Sequence, residues 1–115
     1  MIGTHPDIAW AVFRLSQHMQ EPTEKHVEAA KHIFRYLRHT TAYRLHYNGA
    51  GQSGLIGYSD ADWGADRDSR RSTTGYVFLM ADGPVVWTSR MQKTVARSST
   101  EAEYMALSEG CSEIA

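Results

Sequence analysis

The spacing of the apolar residues changes after Thr41, and that change constrains the fold more than any other feature. Before it, Ile8, Val12, Leu15 and Met19 mark one helical stripe, and Val27, Ala30, Phe34 and Leu37 mark another. After it, apolar residues come in short runs of strand length separated by turn residues. Strand side chains alternate between two faces, whereas helical ones recur every three or four positions, so the two halves cannot form the same element. The chain reads as α+β, with residues 1–41 as a helical hairpin and residues 42–115 as a sheet domain closed by one helix.

The elements follow from local signals. A helix is expected over Pro6–Met19, with Pro6 tolerated in its first turn. Gln20-Glu21-Pro22-Thr23 breaks it, and Thr23 serves as N-cap of the second helix, with Glu24 at the positive helix end. Tyr43–Tyr47 alternates and reads as a short strand, ended by Asn48-Gly49, with further glycines at Gly51 and Gly54. Leu55–Asp62 is the next strand, Gly64–Ser72 a polar loop, and Gly75–Met80 an apolar strand. Ala81-Asp82-Gly83-Pro84 is the turn, since Asp-Gly between apolar runs is a strong hairpin signal. Val85–Trp87 returns, giving an antiparallel three-strand meander. The last helix starts near Ser99, where Ser98 and Glu101 have capping-box spacing and Tyr104, Leu107, Cys111 and Ile114 make an apolar face.

Composition narrows the class. A hydrophobic content of 42% suits a packed core. The single cysteine, Cys111, excludes an internal disulfide framework and reads as a small buried hydrophobe. His5, Asp7 and Arg14 interrupt the N-terminal apolar stretch, against a signal peptide, and no apolar run is long enough to span a bilayer. An intracellular location, cytoplasmic or nuclear, is expected, with no membrane partner. The net charge is only −1, yet it is unevenly spread. Arg67, Arg70, Arg71, Arg90, Lys93 and Arg97 outnumber Asp66, Asp68 and Asp82, and from Ser98 onward there are four Glu and no Lys or Arg. The imbalance reads either as a strip that contacts nucleic-acid phosphates beside an anionic site or as ordinary solvated loops.

Two segments carry candidate chemistry. Asp60 and Asp62 lie two apart at the end of a strand and share a sheet face. Glu101 and Glu103 lie in the opening turns of a helix. Sheet packing can bring such a turn over a strand end, and converging carboxylates repel unless a hard cation such as Mg²⁺ neutralises them. The plainer alternative keeps the Asp residues as turn formers and the Glu residues as caps.

The wording of these segments points further. Tyr58-Ser59-Asp60-Ala61-Asp62-Trp63-Gly64, Arg71-Ser72-Thr73-Thr74-Gly75-Tyr76-Val77 and Ser98-Ser99-Thr100-Glu101-Ala102-Glu103-Tyr104 resemble the ribonuclease H region of copia-type retrotransposon polyproteins. His5-Pro6-Asp7-Ile8-Ala9, Leu15-Ser16-Gln17, Pro22-Thr23, His26 and Arg35-Tyr36-Leu37-Arg38 resemble the stretch that joins that family's reverse transcriptase to its ribonuclease H. The resemblance implies an incomplete ribonuclease H-like fold, an RNA–DNA hybrid as ligand and the rest of the polyprotein as partner, in a virus-like particle in the parent element. It implies four carboxylates around two Mg²⁺ ions, with Asp60 and Glu103 as catalytic and metal-binding members. Glu101 is then the capping partner and Asp62 a neighbour of the site. The family's third carboxylate, in an Asp-Asn motif on the fourth strand, is expected beyond Ala115, and the polymerase Asp pair before Met1. On that expectation the chain by itself is inactive, its first strand left with an open edge. The competing readings are a non-catalytic nucleic-acid-binding module and an inert interaction fragment.

The remaining features read as structural. All six histidines lie in the first 46 residues without a shared ligand face, and read as solvated helix residues. Trp10 and Trp87 sit in apolar runs and read as core, which leaves Trp63 as the one tryptophan placed to stack a base.

Overall fold

The computed structural model describes residues 3–50 and 54–115; Gly51, noted above as part of a glycine-rich turn, lies outside them. The chain divides into two compact units, Met1–Leu45 and His46–Ala115.

In the first unit a short 3-10 turn, Pro6–Ile8, leads into α1, Ala9–Ser16, and after a connection into α2, Glu24–His39. The expected Pro6–Met19 helix is thus shorter at both ends. Pro6 begins a tighter turn, and at the other end the Ser16 hydroxyl donates to the Phe13 carbonyl at 2.7 Å, a local bond that competes with helix continuation. Met19 falls beyond the helix and is 77% exposed. Trp10, expected in the core, is also exposed, because the small unit buries one apolar side chain among its described residues, Ile8. Thr23 is the N-cap of α2, and its backbone N–H donates to His26 Nδ1 at 3.1 Å. His26 therefore fills the place that Glu or Gln usually takes in a capping box. Its ring stacks on His18 with centroids 4.0 Å apart. Tyr36 donates its hydroxyl to Asp7 Oδ2 at 2.7 Å, tying α2 to the opening turn.

The second unit is an antiparallel meander of β1 (Ile56–Asp62), β2 (Thr73–Met80) and β3 (Gly83–Met91), in the order β1-β2-β3, followed by α3 (Ser99–Glu113). The Tyr43–Tyr47 strand does not form. Its end is held by single bonds to the β2–β3 turn: Asn48 N–H to Ala81 O at 2.7 Å and Tyr47 hydroxyl to Pro84 O at 2.8 Å. β3 runs well beyond the expected Val85–Trp87 because polar Thr88–Arg90 pair with Thr74–Tyr76 of β2. The hairpin turn is real, but its chemistry differs from the Asp-Gly reading. Ala81 and Asp82 take the two left-handed positions, with φ of 51° and 63°. Gly83 starts β3, and a Cβ there would lie 2.6 Å from the Tyr47 ring and 2.7 Å from the His46 carbonyl.

α3 covers the sheet face that carries Thr74, Tyr76 and Phe78. Ser98 caps it by accepting from Glu101 N–H at 3.1 Å, and Glu101 Oε2 accepts from Arg97 N–H at 2.6 Å. The buried stripe is Ala102, Ala106 and Gly110, not the larger residues expected. Tyr104 is 69% and Leu107 50% exposed, and Ile114 and Cys111 are exposed as well. The reason is close approach. Tyr76 and Phe78 supply the bulk from the sheet, and a Cβ at Gly110 would already touch Phe78 Cζ at 3.5 Å. On β1, Gly57 leaves room for the Phe78 ring. Trp87, expected in the core, is half-buried. Among the described residues, no helix is long and apolar enough to cross a membrane.

Candidate functional site

Antiparallel pairing aligns Asp62 of β1 with Thr73 of β2, and Thr73 with Met91 of β3. The end of β1, the start of β2 and the end of β3 therefore share one end of the sheet. The β1–β2 loop with Arg67, Arg70 and Arg71 leaves from that end, as does the β3–α3 loop with Lys93 and Arg97. α3 begins there too, with Glu103 in its opening turns. Asp60, Asp62 and Glu103 and most of the basic residues singled out in the sequence are thus gathered at one pole of the unit.

The two aspartates and Glu103 lie on opposite sides of the sheet. Gly57, Ser59 and Ala61 pair with Phe78, Tyr76 and Thr74, which lie under α3. Strand alternation directs Tyr58, Asp60 and Asp62 to the other face, where both aspartates are exposed. Glu103 lines a cleft of about 480 Å³ with Ser59, Ser99, Thr100, Tyr104 and Leu107. Ser59 is the direct neighbour of Asp60, so the cleft reaches the carboxylate strand without including the Asp60 side chain. β1 is one of the two outer strands of the described sheet, so one of its edges has no strand partner there.

The basic residues Arg67, Arg70, Arg71, Arg90, Lys93 and Arg97 are all exposed, and they differ in what they touch. Arg70 adopts a left-handed backbone conformation, φ 58°, and its guanidinium lies beside Gly64. Arg90 is engaged with Glu109 at 3.1 Å, which partly neutralises it. The β1–β2 loop is held in shape by Asp66, whose Oδ1 accepts from Ser69 N–H at 2.6 Å and Ser69 Oγ at 2.7 Å. Trp63 is 51% exposed, and its indole N–H donates to Ala96 O at 3.1 Å, which fixes the ring next to the β3–α3 loop.

Hard oxygen donors are present around Glu103, but their number is too small for a two-ion centre. Among the described residues no three His, Cys, Asp or Glu side chains come together as a metal cluster. The residues present do not by themselves fit the pair of Mg²⁺ ions that the resemblance implies.

Beneath this pole lies a feature that the apolar pattern concealed. Ser72, Thr74 and Gln92 are the largest side chains with no appreciable exposure. Gln92 Nε2 donates to Thr74 Oγ1 at 3.1 Å and to Ala102 O at 2.9 Å. Its backbone N–H donates to Ser72 O at 2.8 Å, and Ser72 Oγ accepts from Gly64 N–H at 3.2 Å. The signal available in the sequence was positional: Ser72 and Thr74 have the inward parity of Tyr76 and Phe78.

No family model matches the chain, and no solved structure matches it. Among proteins of known sequence it is 52% identical over 113 residues to secreted RxLR effector protein 161 of Plasmopara viticola, covering 98% of this chain and 80% of that protein. It is 46% identical over 111 residues to the retrovirus-related Pol polyprotein from transposon RE1 of Arabidopsis thaliana, covering 96% of this chain. It is 48% identical over 109 residues to the retrovirus-related Pol polyprotein from transposon TNT 1-94 of Nicotiana tabacum, covering 95%. The chain spans 8% of the length of each of these polyproteins. Agreement over nearly the whole chain, across polyproteins from different plants, settles its kinship: this chain belongs to the copia-type retrotransposon Pol polyprotein family.

Proposed function

We propose that the chain is part of the ribonuclease H-like region of such a polyprotein, and that the parent domain hydrolyses the RNA strand of RNA–DNA hybrids. Asp60 and Glu103 are its share of the catalytic carboxylates, and Arg67, Arg70, Arg71, Lys93 and Arg97 contact phosphates of the hybrid. One observation carries this reading: the meander delivers Asp60, Glu103 and the two basic loops to the same pole of the sheet. Phosphate contacts position a nucleic acid, and carboxylates beside them are where a phosphodiester would be attacked. The free edge of β1 is open to Asp60 from one face and to the Glu103 cleft from the other.

With two carboxylates and no third ligand gathered among the described residues, the isolated chain binds hybrid weakly and does not cleave it. The test uses a labelled RNA–DNA hybrid with Mg²⁺ or Mn²⁺. The purified chain leaves the hybrid intact, whereas a longer polyprotein segment containing this sequence cleaves it and loses cleavage with Asp60→Asn or Glu103→Gln. Full cleavage by both variants of the longer segment would overturn the assignment. Cleavage by the isolated chain that Asp60→Asn abolishes would overturn its inactivity.

A further inference from the structure

The buried polar chain under the pole has a cost that packing alone would not impose. Gln92 has no exposed surface and uses both amide hydrogens, while its Oε1 has no partner. A buried carbonyl left unpaired is destabilising, and an apolar side chain of similar shape would avoid it. The amide orientation is fixed, because turning the group over would set its oxygen against the Ala102 carbonyl. Departures from a locally favourable choice concentrate where position matters more than stability.

We propose that Gln92 is a positioning residue for Glu103. Its bond to Ala102 O grips α3 one residue before Glu103, and its bond to Thr74 Oγ1 anchors that grip on β2. Through Ser72 and Gly64 the same chain reaches the corner that follows Asp60 and Asp62. The last turns of α3 have ties of their own, Arg90 to Glu109 at 3.1 Å and Tyr76 to Glu113 at 3.3 Å. The opening turns carry local caps at Ser98 and Glu101, but their side-chain bond from the middle of the sheet unit is that of Gln92, beside the small residues Ala102 and Ala106. A polar bond adds what small side chains lack: it fixes rotation and sliding of the helix, not only its distance from the sheet.

The relevance of this positioning to catalysis rests on the reading of Glu103 given above, but the test does not. Spin labels at Asp62→Cys and Glu103→Cys, in a Cys111→Ser background, report the distance distribution between the two carboxylate segments in the folded chain. Hydrogen exchange reports the amides of α3. Gln92→Leu broadens the distance distribution and speeds exchange in the opening turns of α3 by about tenfold, the loss expected for a hydrogen bond of ordinary net strength. It leaves the β2 and β3 amides unchanged. Phe78→Leu, which destabilises the unit from the far end of α3, lowers the melting temperature without broadening the distribution. Thr74→Val, which removes one arm of the clamp, gives an intermediate result and replaces Gln92→Leu if that variant does not fold. A distribution as narrow in Gln92→Leu and Thr74→Val as in the parent chain would overturn the proposal. Neither measurement uses hybrid or metal, so a failure of the catalytic assignment leaves this result readable.

Discussion

Gly110→Ala should stabilise the second unit, although a glycine buried between a helix and a sheet invites the opposite expectation. The ideal Cβ at this position would meet Phe78 Cζ at 3.5 Å and two Tyr76 carbons at 3.7 Å. Those are ordinary van der Waals separations, so a methyl group fits without moving its neighbours. Glycine inside a helix costs about 0.8–1.0 kcal/mol relative to alanine. Burying one further methyl contributes up to about 0.8 kcal/mol. Gly110 lies near the C-terminal end of α3, where fraying reduces the first contribution, so the net gain is about 1 kcal/mol. For a unit of this size that corresponds to a rise in Tm of roughly 4–8 °C.

Thermal unfolding followed by circular dichroism, with urea unfolding as a second measure, checks the value. Gly110→Val makes the companion variant. Its extra methyls reach into Tyr76 and Phe78, and overpacking of this kind costs about 1–3 kcal/mol. A loss of stability in Gly110→Ala would mean that α3 lies closer to the sheet than its alanine and glycine stripe indicates. Equal stability of the alanine and valine variants would mean that this face of α3 is not packed at all.

Three further outcomes are expected. Hybrid binding should weaken steeply with salt, and Arg67→Ala combined with Arg71→Ala should reduce the slope of log affinity against log salt by about 1.5, for two phosphates released, whatever the sequence bound. Tyr76 is buried beside Glu113, and burial first, then that carboxylate, raises its hydroxyl pKa above 10.0. The unfolded chain then ionises before the folded one, so stability is full below about pH 10 and falls as pH rises beyond it; Tyr76→Phe should flatten the fall, read as urea midpoints at increasing pH. Ala81→Asn should raise stability by about 0.5–1 kcal/mol, because Ala81 holds a left-handed conformation that asparagine tolerates better; an unchanged urea midpoint would count against the hairpin geometry.

Where the sequence was legible, the signals were local. Thr23 and Ser98 cap the helices at the positions that their side chains and following residues indicate. The meander order follows from short apolar runs joined by a polar loop and then a tight turn. Where reading failed, a distant partner decided the outcome. The helical stripe of Tyr104, Leu107, Cys111 and Ile114 is as regular as any in the chain, yet α3 buries Ala102, Ala106 and Gly110. The choice was made by Tyr76 and Phe78, whose bulk on the opposing sheet leaves space only for small residues. Gly83 misled for a similar reason. Asp-Gly marked the hairpin correctly, but the glycine serves the close approach of Tyr47, thirty-six positions earlier in the chain, while Ala81 and Asp82 absorb the turn. Tyr43–Tyr47 alternates like a strand and finds no ladder, since its end is held against that turn by single hydrogen bonds.

The candidate site shows the same division more sharply. The residue types and spacing of the two carboxylate segments were visible, and the topology that brings them to one pole follows from a meander with a helix after its third strand. Strand parity decides more than which aspartates share a face. Asp60 and Asp62 share a face, and that parity also sets them on the side opposite Thr74, Tyr76 and Phe78, away from α3. Glu103 therefore meets the strand through Ser59. A ligand touching both Asp60 and Glu103 has to pass around the unpaired edge of β1, because α3 covers one face of that strand and Asp60 lies on the other. An RNA–DNA hybrid, a long and uniformly charged ligand, can lie along such an edge with its phosphates toward Arg67, Arg71, Lys93 and Arg97. A small ligand confined to the Glu103 cleft would leave Asp60 without a role. The edge of β1, rather than the cleft alone, is consequently the place where substitutions should separate hybrid binding from simple stability.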